Sequence, residues 1–387
     1  MAFPTTPGPP PGPAAVVGGL VAEIETELDG LVAAIGDRIR EEIPDFRRLP
    51  ADTLAGAIRG NVGRALTALR DVRAPTDAEL EQAAEIGRER AEQGLTVDAV
   101  LHAYRISITA VWSRFGELAR ERGADVASVL AFSETLWLWA DAVMDIVGTA
   151  HREVELEQAR EEQQRRDAFV LALLSGTLDA AELRLQSATF GLDADRSYVP
   201  FRARSIGASA LTRRVAVGLA GDDGLVTGLD RDFAGIAARV PAVVPRVICG
   251  LGPPARLEAL PASFASASRA LQTAVAFGQE GTLTLADLSI RPAILADEAL
   301  GDAFAARYLE PLEGLGRLGT ELDTTLRAWF DQEMRVEETA RALHVHPNTL
   351  RHRLKRFEEA TGATLRDPRH LVELWWALEH RRLASPD

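Results

Sequence analysis

Between Thr339 and Phe357 the chain reads TARALHVHPNTLRHRLKRF, a run with no acidic residue that carries Arg341, Arg351, Arg353, Lys355 and Arg356. The whole chain has 387 residues and a formal net charge of -14, so this run opposes the background in which it sits. Guanidinium and ammonium groups hold phosphates, while Asn, Thr, Arg and His side chains hydrogen-bond the edges of bases. An acidic protein discourages nonspecific contact with nucleic acid, so a DNA site on it must be a local patch.

Other residues with chemical capacity lead nowhere comparable. His344, His346 and His352 lack a nearby carboxylate or cysteine, and two of them fall in a tight turn, so structural or DNA-contacting roles outrank metal binding. Cys249 is the only cysteine; it excludes an internal disulfide framework, points to a reducing compartment, and reads as a buried inert thiol in RVICGLG. Asp222 and Asp223 in GDDGLVTGL read as turn residues. No nucleophile elbow, P-loop or dinucleotide fingerprint occurs, so the sequence supplies no catalytic residue, no cofactor and no reason to expect an enzyme.

The elements that must position the basic run follow from its apolar spacing. Val336, Ala340 and Leu343 share a face at i, i+4 and i+7, and Leu350, Leu354 and Phe357 repeat that spacing. Two short helices therefore flank HVH, with Pro347 in the first turn of the second, Val345 plugging the turn, small Ala340 allowing close approach, and Gly362 as the stop. Turning Leu350, Leu354 and Phe357 inward leaves Asn348, Thr349, Arg351, His352, Arg353, Lys355 and Arg356 outside. That is the composition of the recognition helix of a helix-turn-helix. Leu322, Leu326 and Trp329 or Phe330 before it, and Leu371, Leu374 and Leu378 after it, complete a small four-helix domain over about 320–382.

The remaining chain divides by texture. Residues 1–15 are a Pro/Gly-rich tail that cannot bury a core, without the basic region of a secretory signal. Residues 16–150 are helical: Thr76 stands before Glu79 as in a capping box, and Val97, Val100, Leu101, Tyr104, Ile108, Val111, Trp112 and Phe115 fall on one face. TLWLWADAVMDIVG is interrupted by Asp141 and Asp145, too short for a membrane span, and reads as a buried helix. Residues 151–168, rich in Glu, Gln and Arg, read as a solvated helical connector, with a dimer-forming helix as the alternative. In 169–290, SYVPFRA, GLVTGL, PRVICGL and GTLTL read as strands and ARLEALPASFASASRALQTAVAFG as a helix, which makes an α/β domain. From 291 to 387 the chain is helical again. The fold class is multidomain and mainly α, with an N-terminal helical bundle, a central α/β domain and a C-terminal helix-turn-helix domain.

The stretch ELDTTLRAWFDQEMRVEETARALHVHPNTLRHRLKRFEEATGATLRDPRHLVELWWALE closely resembles the C-terminal helix-turn-helix of the PucR/CdaR family of bacterial transcriptional regulators. The resemblance implies that Asn348, Thr349, Arg351 and His352 lie against base edges and that Arg353, Lys355 and Arg356 lie nearer phosphates. The middle segment is similar to the GGDEF-like domain of the same family, without the Gly-Gly pair and metal-binding carboxylates that an active cyclase needs. VDAVLHAYRISITAVWSRF looks like the helical sensor domain of stressosome RsbR-type proteins. Together these imply a cytoplasmic regulator that binds double-stranded operator DNA as a homodimer or higher homo-oligomer, without a membrane, and with room for a small-molecule or protein effector. The alternative is a protein-interaction scaffold in a stress-signalling assembly.

Overall fold

The computed structural model describes residues 12–206, 213–239, 241 and 245–384. The chain divides into two compact units, Met1–Gln163 and Gln164–Asp387.

The first unit is helical throughout: α1 (Pro13–Thr26), α2 (Leu28–Glu42), α3 (Ala51–Arg70), α4 (Asp77–Glu92), α5 (Val97–Glu121) and the start of α6 (Val126–Ser175). Most of the tail expected over 1–15 lies outside the described residues, and its end is already helical, because Pro13 occupies the first turn of α1, where a missing N–H costs nothing. Thr76 does form the capping box: its Oγ1 accepts from the Glu79 amide at 3.3 Å and its amide donates to Glu79 Oε2 at 2.8 Å. Arg73 grips the same carboxylate with two nitrogens, at 2.8 and 3.0 Å, and holds Glu79 down at a pKa of about 2.

Amphipathic faces of all these helices meet in one core built around Ile24, Ile39, Leu66, Val100, Phe115 and Phe132. Trp112 departs from the expected inward face: it is 38% exposed and stacks obliquely over Phe132, because Val111 and Phe115 take the centre of the α5 stripe and leave their neighbour on its rim.

One described helix, α6, is long and apolar enough by length and composition to cross a membrane. Its Leu136, Trp139, Ala140, Val143 and Val147 are buried in the helical core. The helical domain expected over 16–150 and the helical connector expected over 151–168 share one helix, since α6 continues through the charged segment without interruption. His151, expected as the first residue of a solvated connector, is fully buried, and its Nε2 lies 2.8 Å from the carbonyl oxygen of Leu95. Residues 155–162 beyond it are exposed, as a segment dense in Glu, Gln and Arg should be.

The second unit opens with the end of α6 and α7 (Ala180–Thr189). There follow β1 (Val199–Ser205), α8 (Arg213–Ala220), β2 (Leu225–Leu229), β3 (Asp232–Ala237), β4 (Val247–Leu251), α9 (Leu260–Ala276) and β5 (Gly281–Leu283). The sheet order is β2-β3-β1-β4-β5, antiparallel except for the parallel pair β4 and β5. All four expected strands are present. The fifth, β3, lies in the stretch DFAGIA, where Asp232, Gly235 and two alanines outnumber the strand-favouring Phe233 and Ile236. Pairing with β1 and with β2 makes it a strand, and Asp232 at its start is anchored by Arg202 Nε at 2.7 Å and Arg204 Nε at 2.6 Å. Every residue of β4 is buried, Cys249 included, and burial raises that thiol to a pKa of about 12, so it is unreactive.

The chain then becomes helical: α10 (Arg291–Ala296), α11 (Glu298–Tyr308), α12 (Glu310–Glu313), α13 (Arg317–Asp331), α14 (Val336–Ala342), α15 (Pro347–Thr361) and α16 (Pro368–Ala384). Leu322, Leu326 and Trp329 of α13 and Leu374 and Leu378 of α16 are buried with α14 and α15, as their spacing demands, while Phe330 and Leu371 pack at the margin. The core also takes in Tyr308, Leu309 and Leu312, so it reaches upstream of residue 320. Gly319 permits the close approach of α12 and α13, since a Cβ there would sit 1.8 Å from the Leu312 carbonyl oxygen.

Candidate nucleic-acid interface

The hairpin α14–α15 is shaped by its turn. His344 adopts a left-handed backbone with φ of 54°. The amide of Val345 donates to Ala340 O at 2.9 Å and that of His344 to Arg341 O at 3.2 Å, a Schellman closure that satisfies the end of α14 and sets the direction of the next segment. His346 caps α15: its Nδ1 accepts from the Asn348 amide at 3.2 Å, and Pro347 occupies the first position. These two histidines therefore serve backbone geometry. Among the described residues no group of three or more His, Cys, Asp or Glu side chains could hold a metal ion.

Leu350, Leu354 and Phe357 bury the inner face of α15 against Ala340, Leu326 and Leu374, and Gly362 closes the helix with φ of 72°. The outer face presents Asn348, Thr349, Arg351, His352, Lys355 and Arg356, all exposed. Six of the seven side chains expected there thus share one surface. Arg353 is the exception. Only 22% of its side chain is exposed, because its guanidinium turns towards α13, where Nη2 donates to Glu321 Oε2 at 2.8 Å and Nη1 lies 3.4 Å from Thr325 Oγ1. Arg353 stands one turn after Leu350 and one turn before Phe357, so helical rotation leaves it half-inward, and a partner carboxylate on the facing helix draws the long side chain in.

The exposed cations are not isolated. Arg351 Nη2 donates to Glu337 Oε1 on α14 at 2.9 Å, and Nη1 to Asn348 Oδ1 at 3.1 Å. Arg356 Nη1 donates to Glu359 Oε2 at 2.9 Å, with Lys355 Nζ 4.0 Å from the other oxygen of that carboxylate. Glu337 and Glu359 are themselves exposed, so these pairs are solvent-screened and readily exchanged for another anion. Sequence reasoning passed over both carboxylates, Glu337 because its relation to Arg351 exists only once α14 and α15 fold against each other.

A short helix, a Schellman turn and a second helix with a buried inner stripe and a cationic, amide-bearing outer face define a helix-turn-helix hairpin. Residues 322–380 match the PucR C-terminal helix-turn-helix domain, and residues 29–166 match the RsbT co-antagonist protein rsbRD N-terminal domain. The chain carries one domain of each of these families. Similar proteins include the purine catabolism regulatory protein of Bacillus subtilis, 39% identical over 61 residues, or 16% of this chain and 12% of that one. The carbohydrate diacid regulator of Escherichia coli is 38% identical over 74 residues, 19% of each chain. An uncharacterized protein in the pkwA 5′ region of Thermomonospora curvata is 38% identical over 76 residues, 20% of this chain and 42% of the other. The chain thus spans less than half the length of the curated relatives it matches.

Proposed function

We propose that this protein is a cytoplasmic transcriptional regulator that reads operator DNA with α15. The observation that carries this reading is the outer face of that helix: Asn348, Thr349, Arg351 and His352 near its N-terminal end, where a recognition helix meets base edges, with Lys355 and Arg356 further along for phosphates. Arg353 acts as a positioning residue that fixes α15 on α13 through Glu321. The two relatives named as regulators support the class.

One such helix reads only a few base pairs, so two copies would act together on half-sites about 34 Å apart or a multiple of that. The N-terminal helical domain and the middle sheet domain, which we take to be GGDEF-like, would bias the pairing of the two hairpins when they receive a signal.

The experiment is selection of genomic DNA fragments by the purified full chain, with Arg351→Ala in parallel. Recovery of a repeated site by wild type, lost in the variant, supports the reading. No enrichment by folded wild type at low salt points instead to a protein-interaction scaffold.

A further inference from the structure

The N-terminal domain holds a partly open pocket of about 40 Å³ between α2, α3, α4 and α5. Its wall is mainly aliphatic and aromatic, with Phe46 and Ile58 among the lining, and no carboxylate lines it among the described residues. Asn61, Arg90, Tyr104 and Ser107 interrupt that wall. Ser107 is satisfied, its hydroxyl donating to Ala103 O at 3.0 Å. The Tyr104 hydroxyl and Asn61 Oδ1 are buried without a hydrogen-bond partner in the protein, and so is Nη2 of neighbouring Arg64.

Arg90 is only 4% exposed. Its Nη1 donates to Gln93 Oε1 at 2.5 Å and lies 3.8 Å from the half-exposed carboxylate of Glu89, both on its own helix or just beyond. Tyr104 is 7% exposed, and burial pushes its phenol up to about 12 against the opposing pull of Arg64 and Arg90, so it remains a hydrogen-bond donor throughout the physiological range. A buried polar atom left unpaired is costly, which a fold tolerates where a ligand supplies the missing partner. One guanidinium, that of Arg90, and one phenol donor on a mainly apolar wall without an acid match an anion with an oil-like body.

We propose that this pocket is an effector site for a small monocarboxylate, whose oxygens accept from Tyr104 and Arg90 while a short hydrocarbon tail lies against Phe46 and Ile58. The size sets the tail. The volume takes roughly three water-sized groups, so the three heavy atoms of a carboxylate fill it and a tail of two or three carbons runs along the wall towards the open side. The site lies wholly within the N-terminal unit and stands apart from the DNA reading, because ligand binding is measured on the protein alone.

The test is a ligand-observed saturation-transfer NMR titration of the full chain with propionate and butyrate, and with propionamide and butyramide as neutral isosteres. Saturable binding of the acids, with the amides at least about tenfold weaker, is the expected result. Arg90→Gln should weaken acid binding by about tenfold or more. Tyr104→Phe should keep or raise the melting temperature, since it removes an unpaired hydroxyl, and still weaken binding by about tenfold. That variant and the acid-to-amide comparison keep the test decisive if Arg90→Gln does not fold. Equal binding of acid and amide, no saturable signal from either with folded wild type, or unchanged affinity in Tyr104→Phe overturns the proposal.

Discussion

Removing one carboxylate should strengthen DNA binding. Glu337 Oε1 lies 2.9 Å from Arg351 Nη2, and both side chains are more than half exposed, at 62% and 54%. Coulomb attraction at that separation is about 1.4 kcal/mol in a water-like dielectric. Side-chain ordering and salt reduce such exposed pairs to roughly 0.2–1 kcal/mol. If Arg351 must leave Glu337 to reach a base or phosphate, Glu337→Gln removes that competition and tightens binding by about 1.4- to fivefold. A double-mutant cycle isolates the mechanism, since the gain must pass through Arg351. We expect Arg351→Ala to cost about 1 to 3 kcal/mol and to erase most of the gain from Glu337→Gln in the same chain. Fluorescence anisotropy on a selected fragment, at one fixed salt concentration, gives all four affinities. An equal gain with and without Arg351 would mean that Glu337 only repels phosphate, and no gain at all would mean that Arg351 does not move onto DNA.

The remaining predictions concern the scaffold around the hairpin and the N-terminal cap. Arg353→Met should lower stability by about 1 kcal/mol through loss of the Glu321 contact, while leaving the salt dependence of DNA binding unchanged; thermal melts and salt titrations separate the two effects. Gly319→Ala places a methyl group on the Leu312 carbonyl oxygen and should cost more than about 2 kcal/mol, seen as an earlier melt of the C-terminal helices. Glu79 has a depressed pKa in the folded chain, so its contribution is complete above the ordinary value near 4.5 and is lost as pH falls towards about 2. With its carboxylate largely enclosed, that contribution is roughly 2 to 3 kcal/mol, and the stability gap between wild type and Glu79→Gln, followed by denaturant unfolding, should close across this window.

What the sequence disclosed depended on how locally each feature is encoded. The hairpin was legible because a 3.6-residue stripe, a proline at the start of α15 and a glycine at its end all act within one or two turns. The capping box at Thr76 was legible for the same reason, since its two partners are three residues apart. Strand β3 was not, because its identity comes from being paired on both sides, and Asp232, Gly235 and two alanines dilute the strand preference of Phe233 and Ile236. The inward turn of Arg353 depends on Glu321, 32 residues earlier, and the Glu337 partner of Arg351 depends on the hairpin closing. The pocket beside Tyr104 was out of reach altogether: it is assembled from segments spread between Ile39 and Ser107, and nothing about a tyrosine on an amphipathic helix says that its hydroxyl ends without a partner. Both segments that meet at 150 were legible as helix, but that they form the single helix α6 was not, because a change in composition marks a change of surroundings and helical hydrogen bonding is indifferent to it.

The central claim is that the outer face of α15 neutralises DNA phosphates and reads bases. Its most direct test is the salt dependence of binding to a selected fragment, measured for wild type, Lys355→Ala and Arg351→Ala. The account predicts a linear fall of log affinity with log salt, a slope shallower by about 0.9 in Lys355→Ala with all sequences weakened alike, and a loss of sequence preference in Arg351→Ala. Identical slopes and affinities in all three proteins would contradict it.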